Sequence, residues 1–167
     1  MSYSLLRPAS RRQSLQCLAW GLGTWLTVSG TVQAAETSLP VTSSLSDSLQ
    51  QALQRKQPLV VMVSLHGCPF CKVVRENYLM PLQREGLPVV QINMRSAQAI
   101  TDVDGSAQTQ EGLIRKWGIQ LAPTVLFFGP QGKEIASRLK GAYLVDFYGA
   151  YLDEQLSLAR QAVALGR

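Results

Sequence analysis

Apolar and polar residues alternate along the chain in blocks that predict helices and strands in turn. Leu45, Leu49 and Leu53 repeat at helical spacing, with glutamine and arginine on the other side, and predict a short amphipathic helix that ends near Pro58. The run 59–63 is continuously apolar and rich in β-branched residues. It predicts a strand that is covered on both faces.

The rest of the chain continues this alternation. We predict a helix from Cys68 that breaks or kinks before Pro81, a strand over 88–94, a polar loop over 95–108, a helix over 110–117, a strand over 124–128, a glycine turn over 129–132, a strand over 134–139 and a terminal helix from Gly141. The terminal helix is expected to present one broad apolar face, made of Leu144, Phe147, Tyr151, Leu152, Leu156, Ala159 and Val163. Interleaved strands and helices indicate an α/β fold around a mixed sheet.

The first residues have the pattern of an export signal. Three arginines in the first twelve residues precede a largely apolar stretch, 15–32, and small residues stand at both positions that a signal peptidase reads before Ala35. We predict a cleaved signal peptide over 1–34, a linker over 35–44 and a domain over 45–167 in the periplasm. The alternative is an uncleaved membrane anchor, because the apolar stretch is just long enough to span a bilayer.

The export route stays open between the Sec and the twin-arginine pathways. Arg11 and Arg12 resemble a twin-arginine signal, but Ser14 stands where that signal usually has an aromatic or bulky residue. Together with Arg7, these arginines supply three of the positive charges behind the chain's net charge of +5. Without 1–34 the domain has 13 basic and 11 acidic groups. Such a balance favours no polyanionic partner, and we expect no binding to nucleic acid.

The cysteines provide the candidate chemistry. Cys17 is expected to leave with the signal, so that the domain keeps only Cys68 and Cys71, two residues apart. A disulfide across so short a loop adds little stability to a fold. In an oxidising compartment we therefore expect this pair to cycle between dithiol and disulfide.

Two separate segments carry a family resemblance. The segment 68–72, Cys-Pro-Phe-Cys-Lys, follows directly on a buried strand, and the segment 116–128 contains Ala-Pro-Thr around Pro123. Together they resemble the thioredoxin family over roughly 45–165, and most of all the exported thioredoxin-related proteins, including those encoded with sulfur-oxidation systems. The resemblance implies a thioredoxin fold, with a central mixed β-sheet flanked by helices.

The chemistry of disulfide exchange assigns roles to the two cysteines. Cys68 lies at the predicted start of a helix, where unpaired N–H groups and the positive end of the helix dipole lower the pKa of a thiol. Pro69 suits the first helical position because it has no N–H to lose. We expect Cys68 to attack a client disulfide and Cys71 to resolve the mixed disulfide that forms.

Further site residues come from the resemblance. It implies that Pro69 and Phe70 tune the redox potential and contact the partner, and that a cis peptide bond before Pro123 aims the backbone of Ala122 at an extended substrate segment. His66 and Lys72 are expected to tune the thiolate from nearby.

The chain departs from thioredoxins at two positions. Met62 stands where they have a buried acidic residue, six places before the first cysteine. Gly67 stands where they have a tryptophan directly before that cysteine. These differences bear on proton handling and on the choice of substrate, and they leave the exchange chemistry untouched.

We therefore predict an exported thiol–disulfide oxidoreductase that exchanges the Cys68 and Cys71 pair with an exported client protein, with reduction of the client as the expected direction. We expect a redox partner at the membrane, no cofactor, no metal site and a monomeric state. Two alternatives remain. Both thiolates, with His66 in reserve, could carry copper(I), which soft ligands select, or the domain could bind partners without catalysis. Two cysteines and one histidine are too few for a closed zinc site.

Overall fold

Strands and helices alternate along the structure in the order that the hydrophobic pattern predicts, with two short strands added between residues 95 and 108. The computed structural model describes residues 38–142 and 145–166, which belong to one compact unit, Ala35–Arg167. The predicted signal peptide, Cys17 and Leu144 lie outside the described residues. The elements are α1 (Leu45–Gln54), β1 (Leu59–Ser64), α2, β2 (Val89–Asn93), β3 (Ala99–Thr101), β4 (Ala107–Thr109), α3 (Gln110–Lys116), β5 (Thr124–Phe128), β6 (Leu139–Lys140) and α4 (Val145–Ala164), where α2 consists of an α-helix (Pro69–Val73), a π-helical turn (Val74–Leu79) and a second α-helix (Met80–Arg84).

A four-stranded mixed sheet has the order β2-β1-β5-β6. β1 pairs in parallel with β2 and antiparallel with β5, and β6 pairs antiparallel with β5. All six residues of β1 are buried. The expectation of a central strand covered on both faces is confirmed, and helices pack on either side of the sheet.

The two faces of the sheet support two apolar clusters. Val60 and Met62 point to one face, where they join residues of α2 and α4. Val61 and Val63 point to the other face, where they join residues of α1 and α3. This division follows from the two-residue repeat of a strand, which sends successive side chains to opposite faces. The helix that carries both cysteines therefore packs over Met62.

Within the predicted linker 35–44, residues 39–44 pair with the edge of the folded domain. Leu39 is buried in the cluster beneath α2. Gln91 N–H donates to the carbonyl of Pro40 at 2.8 Å, and Thr101 N–H donates to the carbonyl of Ser43 at 2.8 Å. The segment thus pairs with both β2 and β3. Backbone pairing needs no apolar side chains, which explains why a polar, serine-rich sequence concealed it.

The predicted polar loop 95–108 contains a β-hairpin. β3 pairs antiparallel with β4, and Ile100 is buried. Lys116 Nζ, at the end of α3, reaches the carboxylates of Asp102 at 2.7 Å and Asp104 at 2.8 Å. An ion-paired corner therefore fixes the hairpin to α3, and strands of three residues are too short to show a readable alternation.

α2 was predicted to break or kink before Pro81, and it does not break, although its regular α-helical turns are interrupted there. It widens into the π-helical turn over Val74–Leu79 and then continues as an α-helix to Arg84. Proline cannot donate the backbone hydrogen bond that an α-helix requires at this position. The wider turn directly before it lets the helix continue, and such turns are frequent near functional sites.

β6 is shorter than expected. Only Leu139–Lys140 pair with β5, whereas 134–139 was predicted, and Glu134 forms a single isolated bridge to Phe128. The side chains of Arg138 and Glu134 form an ion pair across this irregular segment. The chain between these two contacts leaves the sheet. The alternation over 134–139 therefore predicts a longer strand than the one that forms.

The terminal helix buries a narrower face than predicted. Leu152, Leu156 and Ala159 are buried as expected, and Val163 is half-buried, whereas Phe147 and Tyr151 are 61% and 48% exposed. Tyr148 packs against α2, where the hydrophobic pattern predicts Phe147 and Tyr151. Within residues 38–142 and 145–166, the structure has no helix that combines the length and apolar character needed to cross a membrane.

Candidate active site

Cys68 caps the N-terminus of α2 with its own sulfur. The chain leaves β1, and Gly67 adopts a left-handed conformation with φ +73°. Cys68 has extended backbone angles, and its Sγ accepts the N–H of Cys71 at 3.1 Å. The carbonyl of Cys68 accepts the N–H of Lys72 and so begins the helix. A negative charge on this sulfur would receive a hydrogen bond and face the positive end of the helix.

The two cysteines form a disulfide and differ in access to solvent. Their Cα atoms are 5.2 Å apart. Cys68 is half-buried, whereas Cys71 is 1% exposed. Cys68 is therefore the more accessible of the two cysteines for a client. The difference in burial supports Cys68 as the attacking residue and Cys71 as the resolving residue.

The loop before β5 lies against the disulfide. The Ala122–Pro123 peptide bond is cis, as the resemblance implies. The carbonyl oxygen of Ala122 lies 3.9 Å from Cys68 Sγ, although the two residues are 54 positions apart in sequence. Pro123 is buried, and its carbonyl accepts the N–H of Gly141 at 2.7 Å. The loop thus presents the backbone of Ala122 beside the reactive sulfur.

The disulfide rests on an apolar base. Met62 is fully buried in the cluster that contains Cys71, Val74 and Val125. Tyr148 belongs to the same cluster, and burial, followed by the nearby Tyr78, raises the pKa of its hydroxyl well above the usual range. The buried Tyr148 hydroxyl has no hydrogen-bond partner among the described residues. Neither Met62 nor Tyr148 is therefore a proton acceptor near neutral pH.

The remaining predicted site residues surround the disulfide on the exposed side. Pro69 lies at the first helical position, as expected, and Phe70 is 55% exposed between the two cysteines. His66 and Lys72 are exposed, and neither side chain forms a hydrogen bond or ion pair with any other described residue. Proximity in sequence brings them near Cys68, while no contact fixes them there.

Two residues near the site were missed by the sequence reasoning. Arg75 follows Cys71 by one helical turn and donates from Nη1 to Gln91 Oε1 at 3.3 Å. The spacing of Arg75 from Cys71 was readable in the sequence, but its pairing with Gln91 depends on how α2 crosses β2.

Among the described residues, no three histidine, cysteine or acidic side chains come together as metal ligands.

A mixed sheet with this strand order, a disulfide at the head of a helix and a cis-proline loop beside it define the thioredoxin fold. This fold and this disulfide support a thiol–disulfide oxidoreductase. The family model of the thioredoxin-like domain matches residues 45–156, so the chain belongs to that family.

Solved structures of thioredoxins resemble this chain at low identity. The reduced periplasmic thioredoxin SoxS from Paracoccus pantotrophus is 17% identical, with a TM-score of 0.41, over 62% of this chain and 99% of that one. Thioredoxin f2 from Chlamydomonas reinhardtii is 19% identical, with a TM-score of 0.44, over 67% and 94%. Thioredoxin NaTrxh from Nicotiana alata is 20% identical, with a TM-score of 0.45, over 73% and 97%. No curated protein matches the chain.

Proposed function

We propose that this protein is an exported thiol–disulfide oxidoreductase that reduces disulfides in exported client proteins. The observation that carries the proposal is the position of the half-buried Cys68, whose Sγ caps α2 and lies beside the Ala122–Pro123 loop. A hydrogen bond from Cys71 N–H and the helix dipole both favour the thiolate, which is the reactive form in disulfide exchange.

The reaction proceeds in two exchange steps. The Cys68 thiolate of the reduced protein attacks one sulfur of the client disulfide, a Cys68–client bond forms, and the other client sulfur leaves as a thiolate that takes up a proton. The Cys71 thiolate then attacks Cys68 Sγ, the Cys68–Cys71 bond forms, and the second client sulfur leaves. Two electrons pass from the protein's dithiol to the client.

The surroundings of Cys68 suit an extended segment of a protein client. Phe70 presents an exposed apolar ring, and the backbone of Ala122 lies beside the sulfur. An extended client segment could pair with this backbone while its disulfide meets Cys68. The arginine-rich, apolar N-terminal pattern supports export to the periplasm, where a membrane dithiol protein would reduce the Cys68–Cys71 disulfide again.

The proposal is tested by trapping the client. In Cys71→Ser, the mixed disulfide between Cys68 and the client has no resolving thiol and accumulates as a covalent adduct that dithiothreitol releases. We expect mass spectrometry of periplasmic extracts to identify exported proteins in these adducts. The matched control is the double variant Cys68→Ser with Cys71→Ser, which forms no adduct.

The same variants separate the alternatives. A copper(I) carrier would bind the ion tightly, lose it in Cys71→Ser and exchange few disulfides. A binding module would keep its partner in the double variant. Either result, together with the absence of trapped adducts and of thiol turnover, would overturn the proposed function.

A further inference from the structure

To resolve the mixed disulfide, the Cys71 thiol must first lose its proton in a buried position. Cys71 is 1% exposed and must lose its proton before it can attack Cys68. Burial in apolar surroundings disfavours a thiolate. Met62, beneath the helix, cannot accept a proton, and the Tyr148 hydroxyl in the same cluster stays protonated. Something else must favour the charged form of Cys71.

A partly buried cation lies one helical turn away. Arg75 follows Cys71 by four residues, a spacing that places two side chains on the same side of a helix. Its side chain is half-buried, and its Nε is buried without a hydrogen-bond partner. Within the described residues no carboxylate lies within ion-pair distance of Arg75. Its positive charge therefore has no ion-pair partner among those residues.

The edge strand holds this cation on the side of the sheet that carries Cys71. Arg75 Nη1 donates to Gln91 Oε1 at 3.3 Å, and Gln91 Nε2 donates to Asn93 Oδ1 at 3.1 Å. Gln91 is 6% exposed and is the register partner of Met62 in the parallel pair of β1 and β2. Register partners share a face of the sheet. The Arg75 guanidinium thus lies between α2 and β2, the strand that pairs with the Met62 strand β1.

We propose that Arg75 favours the thiolate of Cys71 and so promotes resolution of the mixed disulfide, in a site that lacks a buried acid. An uncompensated cation near a thiol stabilises its charged form, and the effect is strong where water is excluded. Arg75 acts through the Cys71 thiol. The amide of Gln91 is neutral, so it holds the Arg75 guanidinium in place without cancelling the positive charge. This inference rests on the exchange activity proposed above.

The other charged or titratable groups around the site do not replace Arg75. On the exposed side, Lys72 follows Cys71 on α2, and His66 lies in the preceding loop. Glu76, on the same helix, is half-buried. From α4, Tyr148 meets Tyr78, with ring centroids 5.0 Å apart. From β1 and β2, Met62 and Gln91 face α2 at the site, and both are neutral.

The test separates the two exchange steps with a small disulfide. The full chain carries Cys17→Ala, is reduced, and is mixed with 5,5′-dithiobis(2-nitrobenzoate) in a stopped-flow instrument. Attack by Cys68 releases a first nitrothiophenolate in a concentration-dependent phase, and attack by Cys71 releases a second in a concentration-independent phase. In Arg75→Met we expect the second phase to slow by about three- to tenfold at pH 7 and its pH midpoint to rise, with the first phase nearly unchanged.

Three variants make the result specific. Arg75→Lys keeps a cation and should restore most of the second phase. Gln91→Leu keeps the arginine without its anchor and should give an intermediate rate. Arg84→Met makes the same chemical change at an exposed position near the end of α2. Its second phase should have the same rate as that of the parent chain with Cys17→Ala alone.

Two results would overturn the role of Arg75: an unchanged second phase in Arg75→Met, or an equal slowing in Arg75→Met and Arg75→Lys. The synthetic disulfide needs no natural client, so these rates are measurable even if Cys71→Ser traps none. Failure of this inference is therefore distinguishable from failure of the proposed function.

Discussion

Asp102 and Arg75 are both charged side chains shielded at least in part from water, and their charges are balanced in opposite ways. Asp102, in the hairpin of β3 and β4, has a side chain that is 1% exposed, and Lys116 meets it at 2.7 Å. Arg75, on α2, has a neutral amide as its partner and a buried Nε without any. One charge is compensated by an ion pair, and the other is left uncompensated.

This difference in charge compensation distinguishes a charge that fixes the fold from one that can influence chemistry. A compensated charge has its field cancelled nearby, so Asp102 and Lys116 can fix a hairpin to α3 but exert little influence elsewhere. An uncompensated charge keeps its field and can act on a titratable neighbour, which is the role proposed above for Arg75 toward the Cys71 thiol. The cluster beneath α2 also leaves the Tyr148 hydroxyl without a partner among the described residues.

The largest loss of stability is expected from removing the compensating charge in Lys116→Met. The buried Asp102 carboxylate would then have no cation, and a buried charge that loses its partner is strongly destabilising. We expect the Tm in thermal unfolding followed by circular dichroism to fall by several degrees, with unchanged disulfide exchange by the folded protein. Arg115→Met, which removes an exposed partner of Glu111, should leave the Tm unchanged. Equal Tm values for the two variants would contradict the structural role of the pair.

A smaller change of opposite sign is expected from Tyr148→Phe. This substitution removes the buried hydroxyl that lacks a partner and keeps the aromatic ring that packs against Tyr78. We expect the free energy of unfolding in urea to rise by about 1 kcal/mol. Tyr151→Phe, at a position that is 48% exposed, is the matched control and should have no effect. A loss of stability in Tyr148→Phe would show that the hydroxyl has a favourable interaction.

The smallest effect is expected in acid, at the exposed end of the hairpin. The hydrogen bond from Lys116, followed by those from Ser106, holds the pKa of Asp104 below its usual range. A group whose pKa is lowered by folding stabilises the folded state above its unfolded pKa, and this contribution is lost as the pH falls. We expect stability to decline below about pH 4, and less steeply in Asp104→Asn. Asp153→Asn, on an exposed turn of α4, is the control, and identical acid profiles for both variants would contradict this assignment.

Long apolar patterns predicted the core elements well. The run 59–63 became the buried central strand, 124–128 became its antiparallel neighbour, and the leucine repeat over 45–53 became α1. Each pattern directly reflects burial, which is the physical reason for its reliability. The fold class followed from these elements together with the two segments that resemble thioredoxins, and it is confirmed.

Short or polar segments were predicted less well. The hairpin of β3 and β4 and the pairing of residues 39–44 rest on backbone hydrogen bonds, which any side chains permit. α2 continues through Pro81 because a π-helical turn precedes it. α4 turned Phe147 and Tyr151 outward because Tyr148 packs against Tyr78. None of these outcomes leaves a periodic signal in the sequence.

The sequence by itself determined which residues can carry the chemistry. Two cysteines at the head of a helix, a proline fifty residues later and a methionine in place of an acid can all be read as residue types at fixed spacing. Only the tertiary structure decided that Cys68 is reachable while Cys71 is covered, that Ala122 lies 3.9 Å from Cys68 Sγ, and that Arg75 meets Gln91. Burial and cross-element distances depend on how helices pack on a sheet, and local sequence carries no record of them.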